Sequence, residues 1–100
     1  MRMLSDKRRK KFYIVCYDIE DTKRRTKLAK WLCNFGVRVQ KSVFEAYLHD
    51  ADFQRMLSGA EVYVGRSDSL RIYELTMSAY RNKVVRGEPF EYEPFKDVIV

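Results

Sequence analysis

Residues Phe12-Tyr13-Ile14-Val15-Cys16-Tyr17 form an unbroken apolar, β-prone run that stops at Asp18. Unbroken rather than alternating apolarity predicts a central strand, covered on at least one face. Glu20-Asp21-Thr22 then offers helix N-cap chemistry. Over residues 23–35 the period turns helical. Leu28, Leu32 and Phe35 recur at i, i+4 and i+7, flanked by Ala29 and Trp31, with Arg24, Lys27 and Lys30 on the other side. Gly36 is expected to close this helix as its C′ glycine. Val37-Arg38-Val39-Gln40 and residues 42–48 read as one long strand or a kinked pair. The apolar phase changes near Lys41, which predicts a bulge or a tight turn there. Asp50 is expected to cap a second, shorter helix carrying Phe53, Met56, Leu57 and Ala60. Residues 65–68 read as a loop, 70–75 as a strand, 78–82 as one helical turn and 83–86 as a short strand. Pro89 and Pro94 mark an extended tail, and Asp97-Val98-Ile99-Val100 a final β segment.

The order is β-α-β-β-α-β with C-terminal extras. It predicts an α+β, ferredoxin-like sandwich: an antiparallel sheet with both helices on one face. A terminal apolar strand beyond a four-stranded sheet needs an edge to pair with. A second subunit supplies one, so the expectation is a homodimer that exchanges its C-terminal strand. Three segments follow from this: a basic extension over residues 1–11, one domain over 12–87, and a dimer-closing tail over 88–100. One hundred residues leave no room for a second core. No apolar run approaches the roughly 18–20 residues of a membrane span, and the basic start has no apolar stretch behind it to make a signal peptide. Cys16 and Cys33 lack metal-site or redox-motif spacing, which fits buried free thiols and a cytoplasmic protein.

The net charge is +6, unevenly spread. Residues 12–21 carry three acids and no base; residues 22–41 carry seven bases and no acid. A basic block on an ordered element is the footprint expected for a polyphosphate, although a charge run by itself is as often a solvated face. Arg24, Arg25, Lys27, Arg38 and Lys41 are the candidate phosphate contacts, binding by backbone and shape, since no base-reading motif is present. Asp18 is the candidate metal ligand. An acid at the end of an apolar strand is costly unless exposed, paired or metal-bound. Its bland alternative is a helix cap, for which Asp21 and Thr22 are better placed. Phe44 reads either as a core aromatic or as a neighbour of the site. Tyr13, Tyr17, Tyr47 and Tyr73 read as packing groups in preference to a stacking platform.

One family resembles these residues closely. The strand ending in Asp18-Ile19 with Lys23-Arg24-Arg25-Thr26-Lys27-Leu28 is similar to its first motif, and residues 36–45, Gly-Val-Arg-Val-Gln-Lys-Ser-Val-Phe-Glu, to its second. Ser69-Leu70-Arg71-Ile72-Tyr73 and Val98-Ile99-Val100 resemble its later strands. The family is the small universal adaptation protein of CRISPR systems, the CRISPR-associated endoribonuclease. The resemblance implies a ferredoxin-like homodimer at the centre of the complex that integrates new spacers. It also implies a metal-dependent nuclease acting on single-stranded RNA or double-stranded DNA. It places a Mg²⁺ ligand, with Mn²⁺ as a substitute, on Asp18 near the dimer axis. Basic first-helix positions fall on Arg25 and Lys27, the motif arginine on Arg38 and the motif phenylalanine on Phe44, so that Asp18, Arg25, Arg38 and Phe44 form the expected catalytic set. Lysine at 27 keeps the charge but not the bidentate fork of arginine. Two readings stay open: a Mg²⁺-dependent phosphodiesterase, and a non-catalytic dimeric adaptor that binds DNA and docks the integrase subunits.

Overall fold

The computed structural model describes residues 9–87. Seven elements follow in order: β1 (Lys11–Asp18), α1 (Thr22–Leu32), β2 (Gly36–Gln40), β3 (Val43–Leu48), α2 (Asp50–Glu61), β4 (Ser69–Leu75) and α3 (Met77–Arg81). The strands form one sheet in the order β2-β3-β1-β4, every neighbouring pair antiparallel. This is the ferredoxin-like α+β arrangement, with β1 central as its composition predicts.

Alternation along β1 divides the two faces. Tyr13, Val15 and Tyr17 are buried; Phe12, Ile14 and Cys16 between them are only partly so. The buried set meets Leu28, Ala29 and Leu32 of α1, Met56 and Ala60 of α2, and Phe44, Ala46 and Leu48 of β3 in one core. Both long helices therefore cover a single face. The short α3 lies against the other, where Tyr80 stacks on Phe12 at 4.1 Å and Phe12 stacks on Tyr47 at 4.3 Å. The four tyrosines do not share a surface. Tyr13 and Tyr17 are in the core, whereas Tyr47 and Tyr73 are exposed on the open face. No helix among the described residues is long and apolar enough to cross a membrane.

Several local expectations are corrected. α1 stops at Leu32, before Phe35, because the chain tightens into three-residue turns: Asn34 N–H donates to Trp31 O and Phe35 N–H to Leu32 O. Gly36 is accordingly not a helix cap. It opens β2 opposite Ala46, where an added Cβ would lie 2.3 Å from the backbone oxygen of Glu45. β2 and β3 are two strands joined by a tight turn at Lys41-Ser42, with the predicted irregularity between Arg38 and Gln40. Val37 is 67% exposed because it falls on the open face of an edge strand. His49, not Asp50, is the N-cap of α2, and its side chain makes no capping hydrogen bond to the first turn. Residues 83–86 form no strand: Val84 and Val85 are exposed, with no neighbouring edge among the described residues. Cys33 is exposed and Cys16 half-buried, so neither thiol is fully enclosed. Of the predicted extension over 1–11, residues 1–8 lie outside the described residues and Lys11 already belongs to β1; the tail over 88–100 and its final strand also lie outside them.

The close approach at Gly36 makes a prediction. Gly36→Ala is expected to destabilise the fold by about 1–3 kcal/mol, read from the midpoint of urea unfolding. An unchanged midpoint would mean that the β2–β3 contact is looser than it stands.

Candidate functional site

Asp18 is the last residue of β1, set opposite Ser69 of β4. On the other side, Tyr17 N–H donates to Ser42 O at 3.2 Å, which brings the β2–β3 turn against the same strand end. The neighbours of Asp18 in the chain, Tyr17 and Ile19, are both buried, while Asp18 itself is exposed. Its carboxylate is thus presented to water from a backbone pinned on both sides. The described residues give it no salt bridge.

Arginines hold the surrounding loops. Arg25 donates to Ile19 O at 2.9 Å, to Glu20 O at 3.3 Å and to Thr22 Oγ1 at 3.1 Å, so it braces the loop that follows Asp18. Arg38 donates twice to Lys41 O, at 2.9 and 2.6 Å, and the Tyr17 hydroxyl donates to the same oxygen at 3.3 Å. The guanidinium of Arg38 also lies over the Phe44 ring, 5.8 Å from its centroid. Asp21 caps α1, accepting from Arg24 N–H at 2.9 Å, as the sequence predicts.

Asp18, Arg25, Arg38 and Lys41 therefore gather at one end of the sheet. Three candidates behave otherwise. Phe44 is 1% exposed and packs against Tyr17, so it lies in the core beneath Arg38. Arg24 donates to Tyr63 O at 2.9 Å and pairs with Asp68, so its guanidinium is engaged in structure although the side chain stays 37% exposed. Lys27 sits on the exposed outer side of α1, away from the sheet.

Asp68 is the residue that sequence reading passed over as loop. Its side chain is 1% exposed and accepts from Arg24, from Glu20 N–H at 2.9 Å and from Gly65 N–H at 2.7 Å. These donors, the Arg24 guanidinium foremost, hold its carboxyl down at about 2. One buried carboxylate thus ties the loop after Asp18 to the loop before β4. Its main partner is 44 residues away, so no local pattern announces it. The available hint is that Asp68 is the sole acid in residues 62–73.

No group of three or more His, Cys, Asp or Glu side chains converges among the described residues. A single exposed carboxylate fits one position in the shell of Mg²⁺, which typically takes one or two carboxylates and fills the rest with water or phosphate oxygens.

A model of the family described as CRISPR associated protein Cas2 matches residues 11–83. The chain belongs to the Cas2 family. It is 38% identical over 89 residues to the CRISPR-associated endoribonuclease Cas2 3 of Synechocystis, an alignment covering 88% of this chain and 97% of that protein. It superposes on the crystal structure of Streptococcus pyogenes Cas2 with a TM-score of 0.69 at 29% identity, covering 76% of this chain and 99% of the other. A chain of a partial Cas6-RT-Cas1–Cas2 complex matches with a TM-score of 0.61 at 28% identity, over 75% of this chain and 89% of that one. The Cas2 match includes every residue that forms the Asp18 end of the sheet.

Asp68→Asn preserves shape and removes the charge. It is expected to lower the urea midpoint at pH 7. The carboxyl titrates near 2 in the folded protein against an ordinary 3.8, so its stabilisation is complete above the unfolded value and fades as pH falls towards 2. Wild-type and variant midpoints should therefore converge on acidification below pH 3.8. A constant gap would contradict an ionised Asp68.

Proposed function

We propose that this Cas2 protein works as a cytoplasmic homodimer in CRISPR adaptation, binding RNA or DNA and hydrolysing a phosphodiester with a metal ion held at Asp18. The observation that carries the reading is Asp18 itself: an exposed carboxylate on rigid backbone, without an ion-pair partner among the described residues, with Arg25, Arg38 and Lys41 at the same end of the sheet. The curated Synechocystis relative, named an endoribonuclease, supports it.

Each residue has a physical task. Asp18 would hold Mg²⁺ or Mn²⁺, two copies contributing one carboxylate each across a two-fold axis. Such an ion, when bound, lowers the pKa of a coordinated water and stabilises charge developing on phosphorus. Arg25 keeps the Ile19 and Glu20 carbonyls in place, which fixes the direction from which Asp18 emerges. Arg38 holds the turn through Lys41 O and brings positive charge to the same end. Lys41, exposed at the turn, and Lys27 on α1 are the phosphate contacts. Their hold is ionic, so affinity would fall steeply with salt. The tail over residues 88–100 would close the dimer.

The adaptor reading remains distinct: a dimer that binds duplex DNA along its basic sides and docks integrase subunits without cutting. The likeness to a chain of a Cas1–Cas2 complex favours it. Both readings share the fold and the charge pattern and differ only in their need for Asp18.

The deciding assay incubates labelled single-stranded RNA and double-stranded DNA with wild type and Asp18→Ala, in Mg²⁺ and in EDTA, with dimers verified by light scattering. Cleavage is expected only for wild type in Mg²⁺, falling by at least about a hundredfold in the variant, of the order of one removed catalytic interaction. Equal, salt-sensitive binding by both proteins with no cutting would replace the enzyme reading by the adaptor.

A further inference from the structure

With Arg24 turned towards Asp68 and Arg25 towards the loop carbonyls, the outer side of α1 is left to Lys27, Lys30, Trp31 and Asn34. The first three follow the i, i+3, i+4 spacing of one helical stripe, and Asn34 continues it just past the helix end. Tyr63, in the loop after α2, faces this stripe, and the five residues line one pocket. Its aromatic walls are held firmly. The Trp31 indole N–H donates to Met56 O at 2.9 Å, Phe35 meets the ring edge-on at 5.1 Å, and the ring presses so closely on Gly59 that a Cβ there would come within 2.2 Å of it. Tyr63 is fixed through its backbone, its N–H donating to Ala60 O and its carbonyl accepting from Arg24.

Two ammonium groups, the fixed Trp31 ring, the Tyr63 ring opposite it and a side-chain amide that both donates and accepts define one ligand chemistry. A flat heteroaromatic ring joined to an anion satisfies all of them. A bare phosphate leaves the rings unused, and an apolar ligand leaves the lysines unused. We propose that this pocket takes one unstacked nucleotide of a single-stranded segment, its base against Trp31 and Tyr63 and its phosphate against Lys27 and Lys30. Aromatic platforms combined with cations are a general means of holding single strands without reading sequence. The pocket lies on the helix-covered side of the sheet, whereas Asp18 follows the alternation of the open face, so the two sites are separate. The proposal rests on the nucleic-acid reading above but requires neither metal nor cleavage.

Trp31 is the sole tryptophan of the chain, so its fluorescence reports on this pocket alone. The experiment titrates the full chain, in EDTA, with a single-stranded DNA of about 8 nucleotides, following both Trp31 emission and the anisotropy of a label on the DNA. Saturable quenching that weakens between about 50 and 200 mM salt is expected. Lys27→Ala/Lys30→Ala should weaken binding about tenfold or more. Tyr63→Ala, which keeps the backbone bond to Arg24, should lose most of the quenching; circular dichroism checks that both variants fold. Three results would each overturn the proposal: anisotropy reaching saturation while Trp31 emission stays unchanged, equal quenching by a duplex of the same length, and equal quenching by polyglutamate. The readout is made in EDTA, so absence of cleavage in the Asp18 assay leaves it unaffected; Tyr63→Ala, at a residue with no part in the Asp18 end of the sheet, is the variant whose loss of quenching is judged apart from cleavage, so the two readings fail separately.

Discussion

β1 is hydrogen-bonded on both sides, and the rest of the domain is arranged around it. A strand in that position satisfies its whole backbone in the sheet, and one face of it can be buried completely. Tyr13, Val15 and Tyr17 use that face, and Leu28, Leu32 and Met56 close over them. Burial resumes at Ile19 immediately beyond the strand. Asp18, between two buried residues, has nowhere to relax. A carboxylate in that position is placed by the core without belonging to it, which is the requirement for a metal ligand on a rigid element.

The loops at this end are set by charges bonded to one another and to the backbone. Asp68 collects a guanidinium and two backbone N–H groups, and through Arg24 and Glu20 it joins the segment after Asp18 to the segment before β4. Arg25 adds a second brace from α1 to the same loop. Half of the basic motif at the start of α1 is thus structural. The division has a physical basis: Arg offers a fork of donors suited to carbonyls and carboxylates, while Lys is a flexible point charge. The lysines of α1 remain at the surface, and the arginines are drawn in.

Much of this was legible in the sequence because it follows from local periods. The unbroken run ending at Asp18 marked the central strand, and Asp21 marked the helix start. What was illegible depends on contacts distant in the chain. Gly36 looks like a helix cap until Glu45 is seen opposite it. Nothing local shows that Arg24 faces Asp68, or which of its two readings Phe44 takes until it is seen packed in the core. Val84 and Val85 look like a strand but find no edge among the described residues. The Cas2 resemblance placed the family correctly, yet a motif shared by relatives does not say which of its positions serve folding and which serve chemistry.

The central claim is that Asp18 from two copies holds one divalent ion. The most direct test counts Mn²⁺ bound to the purified protein by electron paramagnetic resonance, with the chain's assembly state measured in the same buffer. The account predicts one ion for every two chains, and none for Asp18→Ala with the dimer intact. One ion per chain, or occupancy unchanged by that substitution, would contradict it.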